Sequence, residues 1–536
     1  MTSAQRLAVL TCAGLVASTV AGCGSVTKAV TGSDPGSGIV MGTTSVTNVL
    51  DPAGAYDNGS WLLLHNTFQS LLKFPAASTS PVPDAAQSCE FTGGDATLYH
   101  CTLRSGLKFS NGHPLTAQDV VFSIERMARI KDENGPSSLL DSVKSVEAKG
   151  DTEVVFHLSQ PDAVLPAKLA SAAGSIVDHQ VFPADKLLAN DKLVGSGPYK
   201  IDSIEDMASE GGTKVPGRVT LVANGEYKGD ELLRNKKFTL QYFNKGSELK
   251  TALDDGEVDL TDNSLDPGAA AGYMADVQAG KTAVQVADGE SSETRYLAFN
   301  TKDAVTGNPA VRQAVAQLLD RKVLARDVYA RTVQPLYSVV PAGVLGHNTA
   351  FFDRYGDPDV AKAKQILTAA KVALPVKMSL TWSRARAEGA ESAEIKKQLE
   401  ASGLFQVTVQ QETDWDKFKK GWTAGSYQAY TIGWTADYPD PDNFVAPLVV
   451  NGGAYHTGWN DPRISDKLVP ESLTQADRSA AVASFTQMQN ITAEGVPLIP
   501  IFQAKAFYAS RSNITGVEST VDTTGVFRFW EIGRSK

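Results

Sequence analysis

The 536-residue chain lacks the short motifs that mark hydrolytic or nucleotide-driven chemistry. It has no HExxH pair, no GxSxG elbow and no phosphate loop. The glycine-rich run Gly195-Ser196-Gly197-Pro198-Tyr199 lacks the Lys-Ser/Thr ending that a phosphate loop requires. Seven histidines, at 65, 100, 113, 157, 179, 347 and 456, are scattered without metal-ligand spacing, so no metal or other cofactor is expected. The 60 acidic residues include enough carboxylates for a glycosidase pair, but nothing in their order sets two of them in one cleft. A secreted hydrolase therefore stays the weaker alternative. Basic residues are in deficit, and the formal charge of −10 argues against nucleic acid and anionic lipid surfaces as partners. Past residue 23 no apolar run is long enough to span a bilayer.

Cysteine is scarce too, and its four positions sort by place. Cys12 lies in an apolar stretch, Leu7 to Val20, that follows the single charge of Arg6 and ends at Val20-Ala21-Gly22-Cys23. That pattern is a secretory signal over residues 1–22. Its last four residues resemble a bacterial lipobox, in which Cys23 is acylated and becomes the mature N-terminus. Removing Arg6 with the signal takes the net charge from −10 to −11. Residues 24–38 are rich in Gly, Ser and Thr, so 23–38 reads as the lipidated cysteine and a flexible tether. Cys89 and Cys101 remain. Gly93-Gly94-Asp95 between two β-prone runs predicts a hairpin that brings these thiols together. Outside the cytoplasm they are expected to form a disulfide, a loop closure worth roughly 3 kcal/mol. The whole body is then extracytoplasmic, touching the cell membrane only through its lipid.

A chain of this length exceeds one core and predicts two or three lobes. Folded structure is expected to begin at Ile39, with a helix from Trp61 to about Leu72 after the polar loop Tyr56-Asp57-Asn58-Gly59-Ser60. In Leu107–Met127, Asn111-Gly112 marks a turn, and Thr116 with Asp119 forms a capping-box pair for an amphipathic helix. Leu249–Leu260 reads as a helix stopped by Gly256 and followed by a short strand. Tyr296–Asn300 is strand-like, Asn308-Pro309 opens a helix, and Val496–Phe502 is an apolar strand suited to an edge or a domain crossing. Alternating strands and helices point to α/β lobes.

Six of these segments, in this order, resemble one family. LKFSNGHPLTAQDVVFSIERM is similar to the hallmark segment of family 5 of the bacterial ABC-importer solute-binding proteins, the oligopeptide, dipeptide and nickel group. GSGPY, ALDDGEVDL, YLAFN with NPAVRQAVAQLLDR, GWTADYPDPDNF and VPLIPIF agree with it. The resemblance implies an α/β fold of the two-lobed type II (cluster C) periplasmic-binding class, with an extra inserted domain and a ligand cleft between the lobes. Mapped here, lobe one is 39–68, 195–295 and 503–536, the inserted domain is 69–194, and lobe two is 296–502. It also implies a monomeric, non-enzymatic protein that captures oligopeptides and delivers them to an ABC permease and its ATPase.

By the same resemblance Asp437 takes a peptide's α-ammonium group, and Trp434 and Trp415 wall its side-chain pockets. Tyr56, Asp57 and Asn58 match a cleft-facing loop. The chemistry is coherent, since the α-ammonium is a charge shared by all unblocked peptides and a carboxylate binds it strongly. Two positions depart from the oligopeptide pattern: Thr431 stands where an arginine helps hold a ligand carboxylate, and Thr423 replaces a histidine. They leave open a non-peptide cargo such as a metal chelate, an oligosaccharide or a siderophore-like compound, and a protein reused in signalling or adhesion.

Overall fold

In the computed structural model, residues 38–209, 212, 214–383, 387, 389–450 and 452–535 are described. The signal segment, Cys23 and most of the tether lie outside them. The frame is one eleven-stranded sheet. In chain order its strands are β1 (Ile39–Thr43), β2 (Tyr199–Ala208), β3 (Lys214–Ala223), β4 (Lys237–Tyr242), β5 (Leu260–Thr261), β6 (Val284–Phe299), β7 (Val333–Pro335), β8 (Val376–Trp382), β9 (Phe405–Gln411), β10 (Ala429–Trp434) and β11 (Leu498–Arg511). Their order across the sheet is β9-β8-β10-β6-β11-β5-β1-β4-β3-β2, with β7 paired to β11. Pairing is parallel for β1 with β4 and β5 and for β8 with β9 and β10, and antiparallel elsewhere.

The two long strands, β6 and β11, belong to both halves of this sheet. Residues 284–290 of β6 pair with 511–505 of β11 beside β5 and β1, and residues 294–298 pair with 503–498 beside β10 and β7. Between the blocks the register slips, leaving Ser291, Ser292 and Glu293 as a bulge. Gln503, 2 % exposed, bridges the break: its Nε2 donates to the carbonyls of Ser291 (2.8 Å) and Ala342 (3.0 Å), and its Oε1 accepts from Ala342 N (2.9 Å). The apolar strand at Val496 is thus a crossing and not an edge. Both faces of β6 are covered: Leu297 and Phe299 enter one core and Tyr296 and Ala298 another, the period-two alternation of a strand buried on both sides.

A separate four-stranded sheet, Ala86–Phe91, Leu98–Leu103, Val143–Lys149 and Glu153–Leu158, packs on the helix Ala117–Ile130. Its first two strands are the expected hairpin, with Cys89 opposite Cys101 and a disulfide between them. Asp119 Oδ2 accepts from Thr116 N (2.8 Å) and Thr116 Oγ1 (3.1 Å), which closes the capping box. Gly256 ends the helix Gly246–Asp255 at φ 77°, and Asn308 caps Pro309–Leu318.

One boundary differs from expectation. The first helix spans Asn58–Thr67, starting at Asn58 because Asp57 caps it, accepting from Ser60 N at 2.8 Å. It stops at Thr67, where Phe68 turns extended and the GSGPY bend crosses the helix end. A Cβ on Gly195 would lie 2.0 Å from the Thr67 carbonyl oxygen, so this bend admits only glycine there.

The tie between the two sheets is a buried ion pair. Asp51 and Arg126 are 0 % and 1 % exposed, and the guanidinium donates both Nη groups to the carboxylate at 2.7 and 2.6 Å. Arg126 Nε and Nη2 also reach the carbonyls of Pro183 and Lys186, and Asp51 accepts from Ala53 N and Leu188 N. Removing one partner leaves a bare buried charge, so Asp51→Ala is expected to cost about 3–5 kcal/mol in denaturant unfolding. The double variant Asp51→Ala/Arg126→Met should recover much of that loss. Equal losses in single and double variants would show that the pair is not what holds this junction.

Candidate functional site

The bulge at the crossing is the floor of the cleft. Ser291, Ser292 and Glu293 line a cavity of about 1010 Å³, with Asn58, Trp61 and His65 from the first helix, Asp262 from the loop after β5, and Thr435–Asp437 after β10. A second chamber of about 920 Å³ shares Asn58, Glu293 and Thr435 with it and adds Trp415, Phe418, Thr431 and Trp434. The walls come from sequence segments hundreds of residues apart, brought together by the two long strands.

Asp437 is half-buried. Asn443, fully buried on the next helix, holds it from behind: Asn443 Nδ2 donates to Asp437 Oδ2 (3.1 Å) and Asn443 Oδ1 accepts from Asp437 N (3.0 Å). The Tyr56 phenol reaches the same carboxylate from the other side of the cleft. Burial pushes the Asp437 carboxyl above its ordinary value, against the opposing pull of Asn443 and Tyr56. Among the described residues no Lys, Arg or His lies within ion-pair distance of it. Opposite, Asp262 is buried and accepts from Thr43 Oγ1, Ser45 Oγ (3.1 Å) and Ser264 N (3.2 Å). Burial also lifts its carboxyl, against those donors. His65 is pushed down to about 4, first by burial and then by Arg528, so it stays neutral at pH 7.

The sequence-derived residues fall into distinct places. Trp434 ends β10 and forms a cleft wall, its indole N–H buried without an acceptor among the described residues. Trp415 is the first residue of the helix Trp415–Thr423, its ring 5.8 Å from Phe418 and 5.6 Å from Trp422. Asn58 faces both chambers, and Tyr56 packs its ring 5.6 Å from Trp61. Asp57 is the outlier: its carboxylate caps the helix, accepting from Ser60 N and Ser60 Oγ, and it is not part of the cavity lining. Thr423 lies on the exposed end of its helix. Thr431 Oγ1 accepts from Arg295 Nη2 (2.9 Å), and Arg295 pairs with the buried Glu391 (3.0 Å). Glu293, Arg295, Asp262 and Asn443 were not singled out in the sequence. Only Asn443 carried a signal, as the asparagine inside GWTADYPDPDNF.

Among the described residues one group has potential metal ligands close together, Asp119, Asp178 and His179, with ligand atoms within 4.8 Å of one another. Those atoms are already engaged. His179 Nδ1 donates to Asp119 (2.7 Å), and His113 Nδ1 donates to Asp178 (2.8 Å), clamping the capping box to the following segment.

The family model for bacterial extracellular solute-binding proteins, family 5, middle region, matches residues 80–456. The chain belongs to this family. As a family 5 solute-binding protein it binds and does not catalyse, and its family works outside the cytoplasm. The chain is 26% identical over 484 residues to Di/tripeptide-binding protein 2 of Pseudomonas aeruginosa, covering 84% of this chain and 86% of that one. It is 24% identical over 494 residues to the oligopeptide-binding protein OppA of Bacillus subtilis, covering 87% and 88%. The fold matches the DppA periplasmic binding protein of Helicobacter pylori in complex with the peptide STSA, with a TM-score of 0.75 at 22% identity over 93% of this chain and 98% of that one. CtaP of Listeria monocytogenes gives 0.78 at 19% identity over 94% and 100%. The α/β, two-lobed fold expected from the sequence is the fold of these proteins. No helix among the described residues is long and apolar enough to cross a membrane.

The turn that presents Asp437 also carries Asp442, which burial and then the Asp440 charge push up to about 6. A carboxyl whose folded value is raised contributes stability at low pH and loses it as pH rises through about 6. Asp442→Asn is therefore expected to stabilise the family member by up to about 3 kcal/mol at pH 7.5, and by about a third of that at pH 4.5. Thermal melts at the two pH values read this directly, and a pH-independent difference would refute the assignment.

Proposed function

We propose that this protein is the lipid-anchored, extracytoplasmic binding component of an ABC importer, and that it captures short peptides by their α-ammonium group. The observation that carries the reading is the Asp437 carboxylate. It stands in the cleft, held by Asn443, with no cation of the described chain beside it. A ligand ammonium supplies the missing charge and makes charge-assisted hydrogen bonds to it. Trp434 and Trp415 offer flat walls to side chains of different shapes, with Asn58 between the chambers and Tyr56 at the amine end. The bulge at 291–293 offers backbone groups to an extended peptide, in the manner of strand addition. With Thr431 tied to Arg295 and Arg295 to Glu391, the far end of the ligand is held otherwise than in the oligopeptide pattern, and no fixed peptide length follows.

Capture proceeds by hinge closure of one lobe, 39–68, 195–295 and 503–536, on the other, 296–502, with 69–194 riding on the first. The closed, monomeric form delivers its cargo to a permease and ATPase. Cys23 carries the lipid, and residues 24–38 give the body its reach.

Two experiments test this. Mass spectrometry of ligand released by denaturing the natively purified protein should find peptides with free N-termini, and Asp437→Ala should weaken binding of such peptides by roughly 30- to 3,000-fold. N-acetylated peptides should fail to raise the melting temperature that free peptides raise. A non-peptide mass, or indifference to acetylation, overturns cargo and anchor together. Mass spectrometry of the protein extracted from the membrane fraction should find Cys23 at the N-terminus and carrying acyl chains. An unacylated N-terminal peptide would rule out the lipid at that residue.

A further inference from the structure

A separate cavity of about 840 Å³ opens where the end of the first helix meets residues 69–84, the 227–231 loop and the C-terminal segment. Of its lining only His65 also faces the cleft around Asp437. Its walls are largely apolar and aromatic, with Phe68, Phe74, Tyr227 and Trp530. Most of its charges cancel in pairs: Lys73 with Glu231, Arg528 with Asp522 at 3.0 Å, and Glu531 with Arg234 at 3.5 Å.

Asp84 is the exception. It is 8 % exposed, and among the described residues no cation lies within 4 Å of it; Lys73, paired with Glu231, acts on it only through its charge, and a Ser70 backbone group hydrogen-bonds to it. Its Oδ1 accepts from Gln69 Nε2 at 3.2 Å. Gln69 is itself 1 % exposed, and among the described residues its Oε1 accepts from no donor. On the C-terminal wall Trp530, also buried, has an indole N–H without an acceptor among the described residues. Buried polar atoms are nearly always matched, so an unmatched carbonyl next to a buried carboxylate that makes no ion pair is a site with room for a further donor.

We propose that this cavity is a second ligand site, built for a small organic cation: an ammonium or amidinium group between Asp84 and Gln69 Oε1, with an apolar or aromatic body against Phe68, Phe74 and Trp530. A cation supplies several donors to the two adjacent acceptors at once, and the surrounding ring faces attract positive charge. The Trp530 N–H takes an acceptor on the ligand body. The site stands apart from the peptide anchor at Asp437 and does not depend on it.

The test is a titration of the purified protein with phenethylammonium and with benzamidinium, followed by calorimetry, with 2-phenylethanol as the neutral analogue of the first. Both cations should bind saturably, and 2-phenylethanol at least tenfold more weakly than phenethylammonium. Asp84→Asn should weaken the cations at least tenfold and leave peptide affinity within twofold, whereas Asp437→Ala should do the reverse. If Asp84→Asn does not fold, Gln69→Leu is read in its place with the same expectation. Saturation with a free-amine peptide should leave the cation isotherm unchanged. Equal binding of 2-phenylethanol, displacement of the cations by peptide, loss in Asp437→Ala with retention in Asp84→Asn, or no saturable binding would each overturn the proposal.

Discussion

Two antiparallel strands, β6 and β11, run through both halves of the molecule, and the cleft exists because they do not pair continuously. Their register slips across Ser291–Glu293 and again between Arg295 and Tyr296, where Ile501 has no opposite residue. A sheet resists bending where its ladder is complete, so the break is where the halves can change their mutual angle at least cost. It is also where backbone polar groups leave the strand ladder and take side-chain partners: Gln503 Nε2 donates to the Ser291 carbonyl, and Glu293 N donates to Ser291 Oγ at 3.1 Å. The irregularity at 291–293 thus lies both between the two blocks of the strand pair and along the floor of the candidate cleft. The chambers on either side follow from it, since β10, which carries Trp434, is hydrogen-bonded to the far half of β6 and the loop bearing Asp262 follows β5 on the near half.

Two carboxylates in this molecule differ in how far their partners satisfy them. Asp51 is saturated: two guanidinium donors and two backbone N–H groups occupy it, and it is sealed from solvent. Nothing further can bind there, and its whole effect is to fasten one sheet to the other. Asp437 has a carboxamide donor on one side and a phenol on the other, in a cavity open to ligand. Its carboxyl is already lifted by burial, so a cation arriving there gains from an environment whose desolvation the fold has already imposed. Asp84 is an intermediate case, buried like Asp51 yet short of donors.

The features legible in the sequence were those whose cause is local. A capping box, a proline at the first turn of a helix, a glycine at a helix end and a two-cysteine hairpin each depend on residues within about a dozen positions, and each stands where the pattern put it. Tyr296–Asn300 read as strand-like and lies in β6, though that both its faces are buried came only from the packing. What was hidden depended on register and on segments far apart. Nothing near Gln503 or Ser291 in sequence announces a bulge. Glu293, Arg295 and Asp262 reach the cleft only through strand pairings that span hundreds of residues. Asp57 was misleading for a physical reason: an Asp in a polar loop before a helix suits a cleft and a cap equally, and the helix start took it. Trp415 kept its place in the cleft although it opens a helix, because the aromatic group of Phe418 and Trp422 turns that helix toward β10.

The pairing of Ala298 with Leu498, and the hydrogen bond from Phe299 N to Pro497 O at 3.0 Å, have a consequence for how this architecture is assembled. The chain leaves this strand pair at one rung and returns to it at the neighbouring rung after some two hundred residues, which themselves add β7 to β10 to the same sheet. Because the entropy of closing a loop grows only with the logarithm of its length, the sheet pays little more for that excursion than for a short one. The stretch between those rungs behaves topologically as a cartridge, with entrance and exit side by side. Its loops can lengthen at little entropic cost, but its strands β7 and β10 are hydrogen-bonded to β11 and β6, so this half of the cleft stays tied to the two strands that bracket it.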